Sequence, residues 1–285
     1  MRRIFILCLF CSMAPHASFA DFLDADDAVN LRCLRAAYPE INTLEKSADG
    51  SQWLVFADGR RVLYSEPRVS HERGEDDPFS VDVRASMADI YPLEPYRPPT
   101  PPGVSPGRRR SYALLAALYG KDCRDVSRGL CTVLLLGRSV RLACAAAQAL
   151  EKVGPALAAA ARDTPSLAAL LNPSGGFMWR NIAGEKRLSP HAFGIALDLS
   201  PNFAPYWRWC KQNQHAIVTP HSLQQKYPVA IVEAFEARGF IWGGKWHEYD
   251  IMHFEYRPEL VCKARVRRWS LPEELPGLDN AGNIE

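Results

Sequence analysis

The chain has 285 residues, 47% of them apolar and 23% charged, which is the profile of a folded globular protein and not of a disordered, collagenous or polytopic membrane chain. Lys and Arg number 34 against 32 Asp and Glu, and the balance falls to zero once Arg2 and Arg3 are removed with a leader. Nucleic acid is therefore not an expected partner, since phosphate binding needs a basic surplus or stripe. The length allows one or two domains with room for a core.

Residues 1–20 read as a secretory signal peptide: Arg2-Arg3, an apolar run from Ile4 to Met13, then Ala17-Ser18-Phe19-Ala20 with small residues three and one positions before Asp21. The run is shorter than the ~20 residues of a membrane-spanning helix, and no later stretch approaches that length. The expectation is cleavage after Ala20, no membrane span afterwards and an exported product, most simply periplasmic. Six cysteines then remain, Cys33, Cys123, Cys131, Cys144, Cys210 and Cys262. An even count in an exported chain favours disulfides, and no Cys-x-x-Cys pair points to a redox or cysteine-zinc centre. Cys123 to Cys131 would close a short loop and Cys210 to Cys262 would tie distant segments, but spacing does not choose a pairing. The oligomeric state is equally open.

Along the chain, Leu31–Ala37 reads as a helix, and Trp53–Phe56, Asp58-Gly59 and Arg61–Tyr64 as a β-hairpin around an Asp-Gly turn, together a small N-terminal unit. From Ser70 to Arg110 the chain is charged, then dense in proline, and ends in Arg108-Arg109-Arg110; it reads as an extended strap or linker with a solvated basic end. Tyr112–Tyr119 reads as helix and Leu130–Leu136 as strand. Val140 to about Arg162 reads as a helix, because Leu142, Ala146, Leu150, Val153 and Leu157 recur at helical spacing, with Gly154-Pro155 kinking or dividing it. Pro228 opens a further helix carrying Val232 and Phe235, stopped by Gly239. Helices and strands alternate irregularly without glycine-rich nucleotide loops, so the fold class is α+β and not a doubly wound sheet.

Two blocks carry chemistry. The first is Ser189-Pro-His191-Ala-Phe-Gly194-Ile-Ala196-Leu-Asp198. The second, some fifty residues on, is Trp242-Gly-Gly-Lys-Trp246-His-Glu-Tyr-Asp250-Ile-Met-His253-Phe-Glu255. Leu197 and Leu199 alternate around Asp198, so Asp198 sits on a strand with apolar neighbours facing the other way. A carboxylate in such surroundings wants a cation. His191, across a turn at Gly194, can fold back to share it. Two imidazoles and a carboxylate suit zinc with one position left for water.

The run Ser-x-His-x-x-Gly-x-Ala-x-Asp followed by Asp-x-x-His-Phe-Glu resembles the D-alanyl-D-alanine carboxypeptidase family of zinc peptidases, which includes vancomycin-resistance D,D-carboxypeptidases and phage L-alanyl-D-glutamate endopeptidases. The segment Gly176-Phe-Met-Trp-Arg180-Asn-Ile-Ala-Gly184 and the tail from Gly239 through Leu260 also look like a bacterial branch of it. The resemblance is firm over residues 175–262 and looser back to 110. It implies a small antiparallel sheet carrying a Zn2+ site and flanked by helices, in a peptidase domain at 111–265. Around that domain lie the leader at 1–20, the hairpin unit at 21–68, the linker at 69–110 and a tail at 266–285. It makes His191, Asp198 and His253 the zinc ligands and Asp250 the general base that deprotonates the metal-bound water and passes the proton to the leaving amine. Arg180 would stabilise the oxyanion or hold a substrate carboxylate, with Lys245 as another cation for the latter role, and Ser189 would bind substrate or orient its loop. His247 and Glu248 flank the site and are assigned nothing.

Strand alternation alone puts Ile251, His253 and Glu255 on one side and would nominate Glu255 as base. The family pattern nominates Asp250, which then must lie on the turn or bulge entering the strand, leaving Glu255 to orient His253 through its other ring nitrogen. Trp179, Trp207, Trp209, Trp242 and Trp246 crowd the same region, as core or as a substrate groove. The expected activity is hydrolysis of peptide bonds in peptidoglycan stem peptides, as a carboxypeptidase or an endopeptidase. The alternative is a non-catalytic, zinc-stabilised wall-binding or signalling protein of the same fold.

Overall fold

The computed structural model describes residues 24–67, 81–95, 100–200 and 224–270. The leader, Trp207, Trp209 and Cys210 lie outside these residues. Helix α1 (Ala25–Ala37) starts a turn and a half before the expected Leu31, because Asp24 caps it by accepting a hydrogen bond from the Asp27 N–H. Three antiparallel strands follow, β1 (Ile41–Lys46), β2 (Gln52–Phe56) and β3 (Arg61–Ser65), in the order β1-β2-β3. The expected hairpin is β2–β3; β1, with its shorter apolar pattern, adds a third strand.

A short helix α2 (Val83–Ser86) and the strap at residues 100–110 lead into α3 (Tyr112–Tyr119) and α4 (Cys123–Arg128). Next comes a hairpin of β4 (Leu130–Leu135) and β5 (Arg138–Ala143), and then helices α5 (Cys144–Glu151) and α6 (Gly154–Asp163). Here the helix expected from Val140 is corrected: Val140 to Ala143 is strand, with Val140 opposite Val133 and Leu142 opposite Cys131. Val140 and Leu142 point inward with the period of a strand, and the helical stripe resumes at Ala146, Leu150, Val153 and Leu157, all buried. The division near Gly154-Pro155 occurs as the spacing implied, with Pro155 in the first turn of α6.

The central sheet is antiparallel in the order β6-β7-β9-β8, from β6 (Pro173–Gly175), β7 (Ala196–Leu199), β8 (Phe240–Trp242) and β9 (His253–Tyr256). Its core face, with Leu197, Leu199 and Phe254, packs on α5, α6 and α7 (Val229–Glu236). Helix α8 (Pro258–Ser270) carries Leu260, Val261 and Ala264 into a second apolar cluster shared with α1, the N-terminal strands, Ile241 and Trp246. The N-terminal hairpin unit is thus joined to the elements flanking the central sheet through its own core.

Among the described residues the disulfides are Cys33–Cys262 and Cys131–Cys144, and Cys123 is exposed and bonded to no described cysteine. Neither pairing suggested by spacing is formed at its described member. The β4–β5 hairpin sets Cys131 opposite Leu142, two residues from Cys144, while the packing of α1 on α8 brings Cys33 to Cys262. No helix among the described residues is long and apolar enough to cross a membrane.

Candidate metal centre

The site grows from one pairing register. Asp198 on β7 lies directly opposite His253 on β9, and Leu197 opposite Phe254, so the two polar groups emerge on the same face while the apolar pair enters the core. His191 reaches them from a single 3-10 turn, Pro190–Phe193, opened by the Ser189 side chain and closed by Gly194 at φ 68°. A side chain at Gly194 would meet the Leu130 methyl at 2.7 Å and the Ala143 nitrogen at 2.8 Å, so only glycine lets the chain turn back here. One donor atom from each of His191, Asp198 and His253 lies within 4.8 Å of the other two. His191 Nε2 is 3.3 Å from one Asp198 oxygen and His253 Nδ1 is 3.2 Å from the other.

Each imidazole is held by its outer nitrogen. His191 Nδ1 donates to the Gly176 carbonyl at 2.9 Å, and His253 Nε2 faces a Glu255 oxygen at 3.4 Å. Tying those nitrogens leaves His191 Nε2 and His253 Nδ1 directed at Asp198, the positions from which each ring would bind a metal on giving up any proton shared with that carboxylate. Two imidazoles and one carboxylate, converging and anchored from behind, are a donor set that fits a borderline-soft divalent cation.

Asp250 occupies the turn before β9, where its N–H donates to the Gly243 carbonyl at 3.0 Å and its own carbonyl accepts from the His253 N–H at 3.2 Å. Gly243 permits that approach, since a Cβ there would lie 2.7 Å from the Asp250 carbonyl oxygen. The turn frees Asp250 from strand alternation and lets its carboxyl share the cleft with His253. The cleft has a volume of about 650 Å³, and its walls include Arg108, Arg180, Ser189 and Trp246 beside the His-Asp-His group and Asp250. Asp250 Oδ1 is sealed from solvent and has no hydrogen-bond partner.

Burial raises the Asp250 carboxyl to about 6, with Asp198 reinforcing the shift and the imidazoles and Arg108 opposing it. Burial alone would also raise Asp198, but the two histidines outweigh it and hold this carboxyl well below the usual range. Burial would lower His253, yet its contacts with Asp198 and Glu255 carry it up to about 9. Paired groups with pKa values pushed apart in one cleft are the mark of acid–base chemistry.

Residues 183–256 match the family model for D-alanyl-D-alanine carboxypeptidase. The match covers Ser189, all three members of the His-Asp-His group and Asp250. No curated protein and no solved structure matches the chain. Most of the Gly176–Gly184 segment, Arg180 included, precedes the matched stretch.

Within the matched segment and around it, the expected residues divide. His191, Asp198, His253 and Asp250 meet in the cleft. Arg180 stands exposed at the rim, where its guanidinium donates to the Asn181 carbonyl at 3.2 Å. The Ser189 hydroxyl is buried and caps the 3-10 turn, accepting weakly from the His191 N–H at 3.4 Å, so it orients the loop that carries a ligand. Lys245 is corrected as a cation for substrate: its ammonium is buried, donating to Glu236 and to the Pro92 carbonyl at 2.6 Å each. Glu248 pairs with Arg108, and His247 faces the Thr100 carbonyl at 3.3 Å; neither joins the metal group. Trp242 and Trp246 are buried and Trp179 is half-buried.

The basic end of the strap is not solvated. Arg108 is buried against Glu248 and Glu185, and Arg110 against Glu255, leaving only Arg109 part-exposed beside Asp89. The reason is Glu255 itself: the register of β9 buries it completely, and an ionised carboxylate there requires a cation. Sequence spacing carries no signal for that partner, which comes from 145 residues upstream.

Proposed function

We propose that the protein is an exported zinc metallopeptidase that hydrolyses peptide bonds in peptidoglycan stem peptides. The observation that carries this reading is the convergence of His191, Asp198 and His253 with an unpartnered, buried Asp250 oxygen in one open cleft of a carboxypeptidase-family segment. His191 Nε2, an Asp198 oxygen and His253 Nδ1 would hold the ion. When bound, zinc supplies a Lewis acid for the scissile carbonyl and brings the pKa of a water towards ~7.

The chain's own residues do the rest. Asp250, in the wall of the cleft, accepts the proton of the attacking water at its carboxylate and returns it to the leaving amine, a task suited to a carboxyl raised towards neutrality. Arg180 at the rim pairs with the developing oxyanion or a substrate carboxylate, and Ser189 keeps the His191 loop in place. Gly176 and Glu255 hold the imidazoles in the ligating tautomer. Export is supported by the leader-like residues 1–20 and by two disulfides, which persist in oxidising compartments.

The test is digestion of purified peptidoglycan and of defined stem peptides by the zinc-loaded mature protein, read by mass spectrometry beside Asp250→Asn. Loss of a terminal D-alanine, or one internal cut, that requires zinc and Asp250 supports the proposal and names the bond. A protein that binds zinc stoichiometrically and cuts no stem peptide refutes it in favour of a wall-binding or signalling role.

A further inference from the structure

Behind His253 lies a closed set of buried charges, of which the functional reading uses only Glu255. Glu255 is 0% exposed. Arg110 grips it bidentately, Nε donating to Oε1 at 2.9 Å and Nη2 to Oε2 at 2.5 Å, while Nη1 of the same guanidinium donates to the Arg108 carbonyl at 2.9 Å. Arg257 donates to Glu255 Oε1 at 3.3 Å, but its shorter bond, 2.6 Å, goes to Glu259. Two arginines thus serve two carboxylates, and removing Arg110 leaves Arg257 to divide one charge between Glu255 and Glu259.

The oxygen that Arg110 holds through Nη2, Oε2, is also the one that faces His253 Nε2. The Trp246 ring is near both groups, centred 5.7 Å from the Arg110 guanidinium and 5.7 Å from the His253 ring, and its indole N–H donates to the Pro106 carbonyl of the strap at 2.6 Å. The strap therefore fixes both the carboxylate behind the imidazole and the ring beside it. The strap residues in this network, Pro106, Arg108 and Arg110, lie upstream of residues 183–256, the stretch that matches the family model.

We propose that Arg110 is a positioning residue for His253: by gripping Glu255 it fixes where that carboxylate stands, so that Nε2 of the imidazole is held and Nδ1 is presented to the metal. The strap is then part of the metal centre, and the family-matched segment alone is an incomplete site. This rests on the metal-binding part of the functional reading and on no peptidase activity.

The experiment measures zinc affinity by competition with a chromophoric chelator, the visible absorption of the cobalt(II)-substituted protein, and folding by circular dichroism. It uses the full mature chain and the variants Arg110→Gln, Arg110→Lys, Glu255→Gln and the double Arg110→Gln/Glu255→Gln. Second partners of metal-bound histidines are worth ~10–100-fold in affinity. Arg110→Gln is expected to weaken zinc by that factor and to alter the cobalt spectrum. The double variant should bind zinc no more weakly than Glu255→Gln, because both act on one imidazole.

A folded Arg110→Gln protein with wild-type zinc affinity and cobalt spectrum overturns the inference, as do losses that simply multiply in the double variant. Should Arg110→Gln fail to fold, Arg110→Lys decides: it keeps the charge but not the fork, so a fivefold or larger loss supports the inference and wild-type affinity overturns it. A wild-type chain that binds no zinc overturns this inference and the functional reading together, whereas intact zinc binding in every variant overturns this one alone.

Discussion

Replacing Asp250 by Asn should raise stability and abolish turnover, and both effects follow from one carboxyl. Its pKa is about 6 in the folded chain, raised by burial from an ordinary 3.8. A carboxyl with a raised folded pKa binds its proton more tightly in the native state, so stability is lost as pH climbs from the unfolded value through the folded one and is fully lost above it. At ~1.4 kcal/mol per pH unit the two-unit interval is worth at most ~3 kcal/mol. Because Asp250 lines an open cleft and is only half-buried, about 1–3 kcal/mol is the working range. The metal-free Asn variant should therefore match wild type near pH 4 and melt several degrees higher at pH 7–8, at ~2–4 °C per kcal/mol for a chain of this size. Zinc reverses the order, since a dication beside the carboxylate favours its charged form. Thermal melts across pH with and without zinc, together with peptide turnover, measure all of this, with turnover expected to fall by ~100-fold or more. An Asn variant that is less stable than wild type at pH 8 without metal, or one that retains turnover, would refute the reasoning.

Other expectations are independent of that carboxyl. Asp198→Asn or His191→Ala should abolish stoichiometric zinc binding while the chain still folds, which equilibrium dialysis against zinc reads directly. Opening Cys33–Cys262, whose members are 229 residues apart, should cost up to ~5 kcal/mol by loop entropy, against ~3 kcal/mol for Cys131–Cys144 with a separation of 13. Denaturant melts of the two Cys→Ser pairs test that ranking. Gly194→Ala should destabilise by roughly 1–3 kcal/mol and weaken zinc as well, because the left-handed turn that presents His191 cannot take a Cβ; unchanged zinc affinity would detach the turn from the site. The acid limb of the activity profile should fall at or below about pH 6, the value for Asp250 without metal, since zinc can only lower it.

The site was readable where its logic is local. Seven positions from His191 to Asp198, with a glycine between, contain the turn and the strand that fold one ligand onto the other, and alternation of Leu197 and Leu199 gives the facing. Asp250 was harder, because a period of two forbids it the face of His253. Only the Gly243 carbonyl, accepting its N–H, explains the turn that frees it. The β5 strand was masked by coincidence: Leu142 lies four residues before Ala146, so a stripe of helical spacing runs across a strand–helix junction. Arg110 was hidden for a different reason, since a buried cation is recognised by the carboxylate it meets, and Glu255 is distant in sequence. The disulfides were unreadable on the same ground, for Cys33 meets Cys262 only through the packing of two terminal helices.

The central claim is that one zinc ion, held by His191, Asp198 and His253, turns this cleft into a peptidase. Its most direct test is the rate of cleavage of a defined stem peptide by the metal-free mature chain as zinc is added. The account predicts that the rate rises linearly to one equivalent per chain, stops there, and stays at background in Asp198→Asn. Cleavage that survives exhaustive chelation, or a zinc-saturated chain that releases no product, would contradict it.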